Sequence, residues 1–458
     1  MMYKLLLITS LIISSSFSLE LDKLDSDLKD GLTLNKVVKL SLLNDPWLLG
    51  NKYSQKAVES ESIASSTFLD PKITIGALNL PTDGFDINQE GMTQFKIGIS
   101  QMLPRGDTLE IRKSQLNLKA SQFPYQREDR KSKVTVLVSQ LWLDAYKAQE
   151  SITLIEKNRS LFEQLVDVAE SSYATTIGKT RQQDIVRAQL ELTRLDDRLT
   201  ILKLKKEKFL LTLSEWLYDF SNEELQSANI VKSLNFVLPK KLPKIDMISN
   251  FSNNNSHIQD LLGEFKSHPS VKSIDQKIKA TSKGISLAQQ KYKPQFSFNA
   301  SYGFRGDDLK GNGRSGLFSA GVTFDVPLFT KNRQDKELQA AILKTKSVKT
   351  QKWLQLRKLL TSYETVKVNL LRLEQRDTLY NSGLLPQINE QAEASLRAYT
   401  NDDGDFSEVV RSRIAQLNAK IDVLNIKVEI QKAVVKYNYL FVKKADDLLA
   451  VINTKGDN

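Results

Sequence analysis

Cysteine is absent from the 458 residues, histidine occurs only twice, and after the N-terminus no stretch is both long and free of charge. An exported chain without cysteine has neither disulfide staples nor a lipid-bearing N-terminal residue, so its stability must come from packing. The two histidines, His257 and His268, and the five methionines form no ligand-spaced set, so neither a metal nor another cofactor is expected. Gly-x-Ser-x-Gly, paired histidines and a nucleotide fingerprint are missing as well, which removes the usual signatures of an enzyme. Lys, Arg, Asp or Glu interrupts every helical-looking segment before it reaches the roughly 20 apolar residues a spanning helix needs. Any membrane passage must therefore use strands closed into a barrel.

What is present begins with a secretory leader. Lys4 gives a positive start, Leu5 to Ile13 is apolar apart from Thr9 and Ser10, and Ser16-Phe17-Ser18 supplies small residues at the cleavage site. This predicts a signal peptide over residues 1–18. The formal charge of +11, from 65 Lys+Arg against 54 Asp+Glu, is spread along the chain rather than gathered into a block. Interspersed charge describes solvated helix faces, not a nucleic-acid footprint.

Three proline pairs reveal an internal duplication. Asn44-Asp45-Pro46 answers to Ser267-His268-Pro269, Leu69-Asp70-Pro71 to Tyr292-Lys293-Pro294, and Met102-Leu103-Pro104 to Asp325-Val326-Pro327, each pair 223 positions apart. Each copy reads helix, strand, loop, strand, very long helix, turn, return helix. The first repeat covers 19–220, with strands at about 69–79 and 93–103, a long helix over 105–177 and a return helix over 181–218. A connection over 221–265 carries Pro239, Pro243 and a polar Ser/Asn run, and is expected to be irregular with short helices. The second repeat covers 266–445, with strands at about 294–304 and 317–327, a long helix over 328–400 and a return helix over 405–443, followed by a tail over 446–458.

The strand segments alternate with period two. Ile73, Ile75 and Ala77 interleave with Lys72, Thr74 and Gly76, and Phe95, Ile97 and Ile99 with Gln94, Lys96 and Gly98. In the second copy Phe296, Phe298, Ala300, Tyr302 and Phe304 interleave with Ser297, Asn299, Ser301 and Gly303, and Phe318, Ala320, Val322 and Phe324 with Ser319, Gly321 and Thr323. One greasy, aromatic face and one small or polar face is what a strand between lipid and a watery lumen requires, although a soluble sandwich fits any single strand equally well. Four strands cannot close a barrel, so several chains must share one.

From Val134 onward a heptad holds. Val134, Leu141, Ala148, Ile155, Phe162 and Ala169 form one seam; Val138, Ala145, Ile152, Arg159, Val166 and Tyr173 form the other, with Arg159 alone out of character. Ile185, Ala188, Leu192, Leu195, Leu199 and Leu202 supply the return partner. In the second copy Leu359, Tyr363, Val366, Leu370 and Leu373 lead down, and Val410, Ile414, Leu417, Ile421, Leu424 and Val428 lead back. Some 73 helical residues reach roughly 110 Å, a length suited to a periplasm.

With these pieces placed, the sequence resembles the TolC-like outer-membrane efflux channel family over about residues 31 to 442. The matching motifs are Asn44-Asp45-Pro46, Ser100-Gln101-Met102-Leu103-Pro104-Arg105-Gly106, Val326-Pro327-Leu328-Phe329, Gly178-Lys179-Thr180-Arg181-Gln182-Gln183-Asp184 with Arg187-Ala188-Gln189, Tyr399 and Asp405-Phe406. The resemblance implies a mainly α fold with a small β part: a homotrimer whose twelve strands make a transmembrane barrel in outer-membrane lipid, above an α-barrel of antiparallel coiled coils. It implies a passive exit duct in a Gram-negative outer membrane, with a periplasmic adaptor protein and an inner-membrane transporter of RND or ABC type as partners, and no nucleic acid. It implies a constriction at the helix turns from Asp184, Tyr399, Asp402, Asp403 and Asp405, with Gly178, Lys179 and Gly404 in the adaptor-contact turns. Gly404 stands where the best-known member has a clasp-completing arginine, and Asp402 replaces a usual glycine. Asp402, Asp403 and Asp405, tripled by symmetry, would form a negative ring, while ordinary helix capping accounts for the same residues. Met92-Thr93-Gln94 through Gly106, with Gln182-Gln183-Asp184, looks most like the heavy-metal branch. Drug efflux, metal efflux and type I protein secretion stay open, and the rival from another class is a periplasmic coiled-coil scaffold.

Overall fold

The computed structural model describes residues 31–175, 182–217, 236–248, 258–401 and 403–453. The expected leader, Gly178, Lys179, Asp402 and His257 lie outside these residues. The first half of the chain forms α1 (Leu34–Leu43), α2 (Pro46–Ala64), β1 (Lys72–Leu78), β2 (Gln94–Met102), α3 (Thr108–Ala120), α4 (Gln122–Thr175) and α5 (Gln182–Leu217). The second forms α6 (Ile258–Lys266), α7 (Pro269–Gln290), β3 (Phe296–Phe304), β4 (Leu317–Phe324), α8 (Gln334–Leu379), a π-helical turn (Tyr380–Leu384), α9 (Leu385–Thr400), α10 (Phe406–Phe441) and α11 (Ala445–Asn453). The proline pairs mark matching places. Pro46 and Pro269 open α2 and α7, where the missing N–H has no helical partner to lose. Pro71 and Pro294 precede β1 and β3, and Pro104 and Pro327 follow β2 and β4.

Packing divides the chain into two compact units, one from residues 49–127 and 270–356 and one from residues up to 48, 128–269 and 357–458. The first contains the sheet. Its strands run in the order β1-β2-β3-β4, all antiparallel, and the central β2–β3 pairing joins the two halves of the chain with Ile97 opposite Tyr302 and Ile99 opposite Ala300. The strands are seven to nine residues long, shorter at their ends than the alternation suggests. Below them the halves are tied by an Arg105–Asp325 ion pair, by Arg105 Nη1 donating to the Lys293 carbonyl at 2.9 Å, and by Lys293 Nζ on Asp107 at 3.1 Å. Gly106 turns the chain here with φ +44°, and a Cβ on it would lie 2.5 Å from the Gln290 and Lys293 side chains. The positive φ is what glycine adopts without strain, while the Gln290 and Lys293 side-chain ends would have to move for any larger residue.

Two long helices expected to be continuous are not. The segment expected over 105–177 is α3 and α4, parted at Ser121, whose N–H returns to Asn117. Pro124, the third residue of α4, has no N–H for the Ala120 carbonyl, so the helix restarts where a proline is tolerated. The segment expected over 328–400 starts only at Gln334 and is interrupted by the π turn. Pro386, just inside α9, cannot donate to the residue four before it, and Gly383 within the turn lowers the resistance to a widened loop.

The second unit is helical. Trp142 of α4 is fully buried, and its Nε1 donates to the Leu32 carbonyl at 2.7 Å. Part of the expected irregular connection, residues 236–248, is an extended strap. Its peptide groups are satisfied by side-chain amides: Gln149 exchanges two bonds with Leu238, Gln431 accepts from Ile245 N, and Asn438 bonds both Ile248 N and the Asp246 carbonyl. The expected tail from 446 is instead mostly helix α11, with Leu448 fully buried. Duplicated positions 45 and 268 are both buried but serve different chemistry. Asp45 caps Trp47 N and pairs with Arg130 at 2.8 Å, whose guanidinium lies 5.6 and 5.4 Å from the Trp47 and Trp216 rings. His268 packs on the Tyr439 ring and hydrogen-bonds the Tyr439 carbonyl at 3.0 Å.

Candidate functional site

The sheet presents two chemically distinct faces. Register places Ile73 beside Ile99 and Ile75 beside Ile97; across the centre Phe95 lies beside Phe304, and on β4 Phe318 and Val322 lie beside Tyr302 and Phe298. All of these share one face, because side chains directly opposite in an antiparallel pair point the same way. That face has no cover within the described residues: Ile75 is 74% exposed, Phe318 72% and Phe304 60%. The other face is small or polar along its middle, from Lys72, Thr74 and Gly76 through Gln94, Lys96, Gly98 and Ser100 to Ser297, Asn299, Ser301, Gly303, Ser319, Gly321 and Thr323, with Leu78, Met102 and Leu317 at strand ends. Among the described residues, strands β1 and β4 each pair on one side only. Their free edges leave backbone N–H and C=O groups that lipid cannot satisfy, at several kcal/mol each.

The hairpin loops are held by arginines rather than by a core. Arg305 donates to the carbonyls of Ser315 and Gly91, and Arg314 to those of Asn88 and Glu90, so the β3–β4 loop grips the β1–β2 loop through charge-assisted bonds. Asp308 receives the Lys310 and Asn312 amides and the Asn312 side chain, which hold its carboxyl below its usual range, the Asn312 side chain most of all.

At the helix turns the second candidate region is built on a shared core. Ile155, Phe162, Val166 and Ala169 of α4, Ala188, Leu195 and Leu199 of α5, and Phe406, Val409, Val410 and Leu417 of α10 pack together, with Leu396 and Tyr399 of α9 against them. The heptad seams meet here, and Arg159, their exception, is paired with Glu163 and Asp196 at the rim. Asp184 is the third residue of α5 and is buried. Tyr399 lies near the end of α9 with its ring 5.4 Å from Phe406, and its hydroxyl is shielded from solvent with no hydrogen-bond partner among the described residues. Asp405 is the N-cap of α10, accepting from Ser407 N at 3.0 Å and Ser407 Oγ at 2.7 Å. Asp403 is exposed, its backbone N–H donates to the Ala398 carbonyl, and its carboxylate has no partner among the described residues. A Cβ on Gly404 would stand 2.7 Å from Tyr399 N and 2.8 Å from the Ala398 carbonyl carbon. The missing arginine at this position therefore has a packing cause.

One feature escaped the heptad pattern. Between α9 and α10 runs a polar seam in which Arg413, almost fully buried, pairs with Glu393 at 2.9 Å and Gln416 donates to Asn389 at 2.9 Å. Tyr380, in the π turn, reaches Asp422 at 3.3 Å. The spacings Asn389/Glu393 and Arg413/Gln416, one helical turn apart on facing helices, were the available signal. Among the described residues there is no group of three or more His, Asp or Glu side chains that could hold a metal, and no helix is long and apolar enough to cross a membrane.

No family model and no curated protein matches the sequence. Solved structures do. The outer membrane protein VceC of Vibrio cholerae aligns at 11% identity over 89% of this chain and 96% of its own, with a TM-score of 0.71. A membrane protein from Pseudomonas aeruginosa gives 14% identity over 89% and 93%, at 0.72. The CmeC outer membrane channel of Campylobacter jejuni gives 16% identity over 91% and 86%, at 0.71. The chain has a TolC-like fold. These alignments run through both repeats and give no preference for a heavy-metal branch.

Proposed function

We propose that the chain is the outer-membrane subunit of an export system, a passive duct that trimerises into a twelve-stranded barrel and lets out solutes delivered by an inner-membrane pump through a periplasmic adaptor. The observation that carries this is the uncovered apolar face of a four-stranded sheet with two free edges. Each large side chain on it forgoes on the order of 1.5–3 kcal/mol of burial in water. Lipid supplies that burial, and strand pairing between β1 and β4 of successive copies satisfies the edges. A soluble coiled-coil scaffold accounts for the helices but gives the sheet no cover. Fold likeness to solved outer-membrane channels supports the same reading.

In this proposal the constriction lies at the turns, with Asp403 and Asp405, joined by Asp402 and Asp184, as the charged set and Tyr399 bracing them from the core. Gly404, with Gly178 and Lys179, belongs to the surface offered to the adaptor. Detergent-extracted protein reconstituted in a planar bilayer should give discrete single-channel steps, and Asp402→Ala with Asp403→Ala should change their size or lower their cation preference. Protein that partitions into water and gives no conductance refutes the duct; unchanged steps in the double variant refute the acidic constriction alone.

A further inference from the structure

The polar face of the sheet carries no carboxylate over the four strands and two ammonium groups, Lys72 and Lys96. They differ in surroundings. Lys72 follows Asp70 by two positions at the end of β1, and Asp325, held by Arg105, stands at the same end of the sheet, so charge there is mixed. Lys96 stands apart. In register it faces Gly76 of β1 on one side and Gly303 of β3 on the other, and Gly98 follows it on the same face of β2. No carboxylate among the described residues pairs with it. Gln94, on the same face of β2, lays its side-chain amide over Gly303, and Lys96 is half-buried beside it; with no carboxylate on this face to take its charge, the ammonium is left to whatever occupies the space above.

We infer that Lys96 is a selectivity residue of the duct: tripled by symmetry it forms a positive collar inside the barrel that favours small anionic solutes over cations. The inference rests on the proposed channel, in which the polar face is the lumen wall. Its magnitude follows from distance. Ser301 lies opposite Gly98, two residue pairs along from the Lys96–Gly303 pair and so on the same face, which puts it roughly 7–8 Å from Lys96. At that range, with a screening length of about 8 Å in physiological salt, one unit charge changes the local ratio of monovalent anion to cation about twofold. The acidic residues proposed at the helix turns are unchanged in every variant below, so a difference between the parent and Lys96→Gln belongs to the collar.

The absence of native cysteine makes Ser301→Cys such a probe. The protein carrying it is reconstituted in liposomes and its thiol is reacted with an anionic sulfonate-bearing methanethiosulfonate and a cationic trimethylammonium-bearing one, each rate divided by that for a free thiol in solution. The anionic reagent should be favoured about two- to threefold, the preference should grow at about 0.01 M salt and vanish near 1 M, Lys96→Gln should abolish it and Lys96→Arg should keep it. Equal normalised rates at low salt, or a preference untouched by Lys96→Gln, overturn the collar while leaving the duct. Labelling of Ile97→Cys but not of Ser301→Cys by both reagents shows that the apolar face is the wetted one, and overturns the channel reading itself. The salt series on Ser301→Cys alone decides the matter if the lysine variants do not assemble.

Discussion

Phe162 of α4 and Ile97 of β2 are both apolar residues on a regular stripe, yet Phe162 is buried by its own chain and Ile97 is about half open to its surroundings. The helical stripe finds its partner within the polypeptide because α5 and α10 pack on α4 in one core. Among the described residues the apolar face of the sheet has no cover, and α2 and α3 share a small separate cluster of Val58, Leu116 and Ala120. Periodicity alone therefore states that a face is apolar, not what covers it. The difference teaches that the helical unit is largely self-sufficient while the sheet is one part of something larger.

The largest expected effects break this contrast from each side. Phe162→Ala should cost about 3–5 kcal/mol in the helical unit, read as early proteolysis or hydrogen exchange of α4 and α5, while the sheet still inserts. Ile97→Arg should cost about 2–4 kcal/mol in lipid and show as loss of membrane-inserted oligomer, whereas Ser301→Arg on the other face should insert normally. Equal tolerance of arginine on both faces removes the basis for assigning lipid and lumen. A smaller effect is expected of Tyr399→Phe, which deletes a buried hydroxyl that has no partner among the described residues. It should leave the turn intact and raise its stability by up to about 1 kcal/mol in denaturant unfolding; a clear loss of stability shows that the hydroxyl is bonded in the assembled protein.

The smallest effect concerns pH. Burial pushes the His268 imidazole below its ordinary value of 6.5, with Asp129 and the Tyr439 carbonyl opposing the shift in part and Lys133 adding to it. The folded state then binds fewer protons than the unfolded one between the lowered value and 6.5, so the helical unit is most stable above that pH and loses stability as pH falls through 6.5. Denaturant midpoints measured between pH 7.5 and 5 should fall in the parent and fall less in His268→Gln; parallel slopes mean that His268 does not titrate on unfolding.

Much of this was legible in the sequence, for reasons that differ by element. The strands could be read because one face of each is uniformly apolar, and the prolines 223 positions apart located their ends twice over. The heptads over Val134 to Ala169 announced the buried seam because each position repeats its environment. The interruptions at Ser121 and Tyr380–Leu384 follow from Pro124 and Pro386, but a single proline in a long pattern is easily outweighed by the periodicity around it. The Arg130–Asp45 pair between two tryptophans joins residues brought together only by the fold, and local pattern contains no trace of it, whereas the Arg413–Glu393 seam left only the one-turn spacings of its polar residues. At the turns, Asp405 capping and the close approach at Gly404 account for residue choices that charge alone left ambiguous.

The central claim is that the sheet is completed by sister chains in lipid. The most direct test is native mass spectrometry of the detergent-extracted membrane fraction. Three copies of the mature chain, held together until detergent is exchanged for denaturant, are the predicted result; a single chain that is recovered from the soluble fraction and stays monodisperse without detergent contradicts the account.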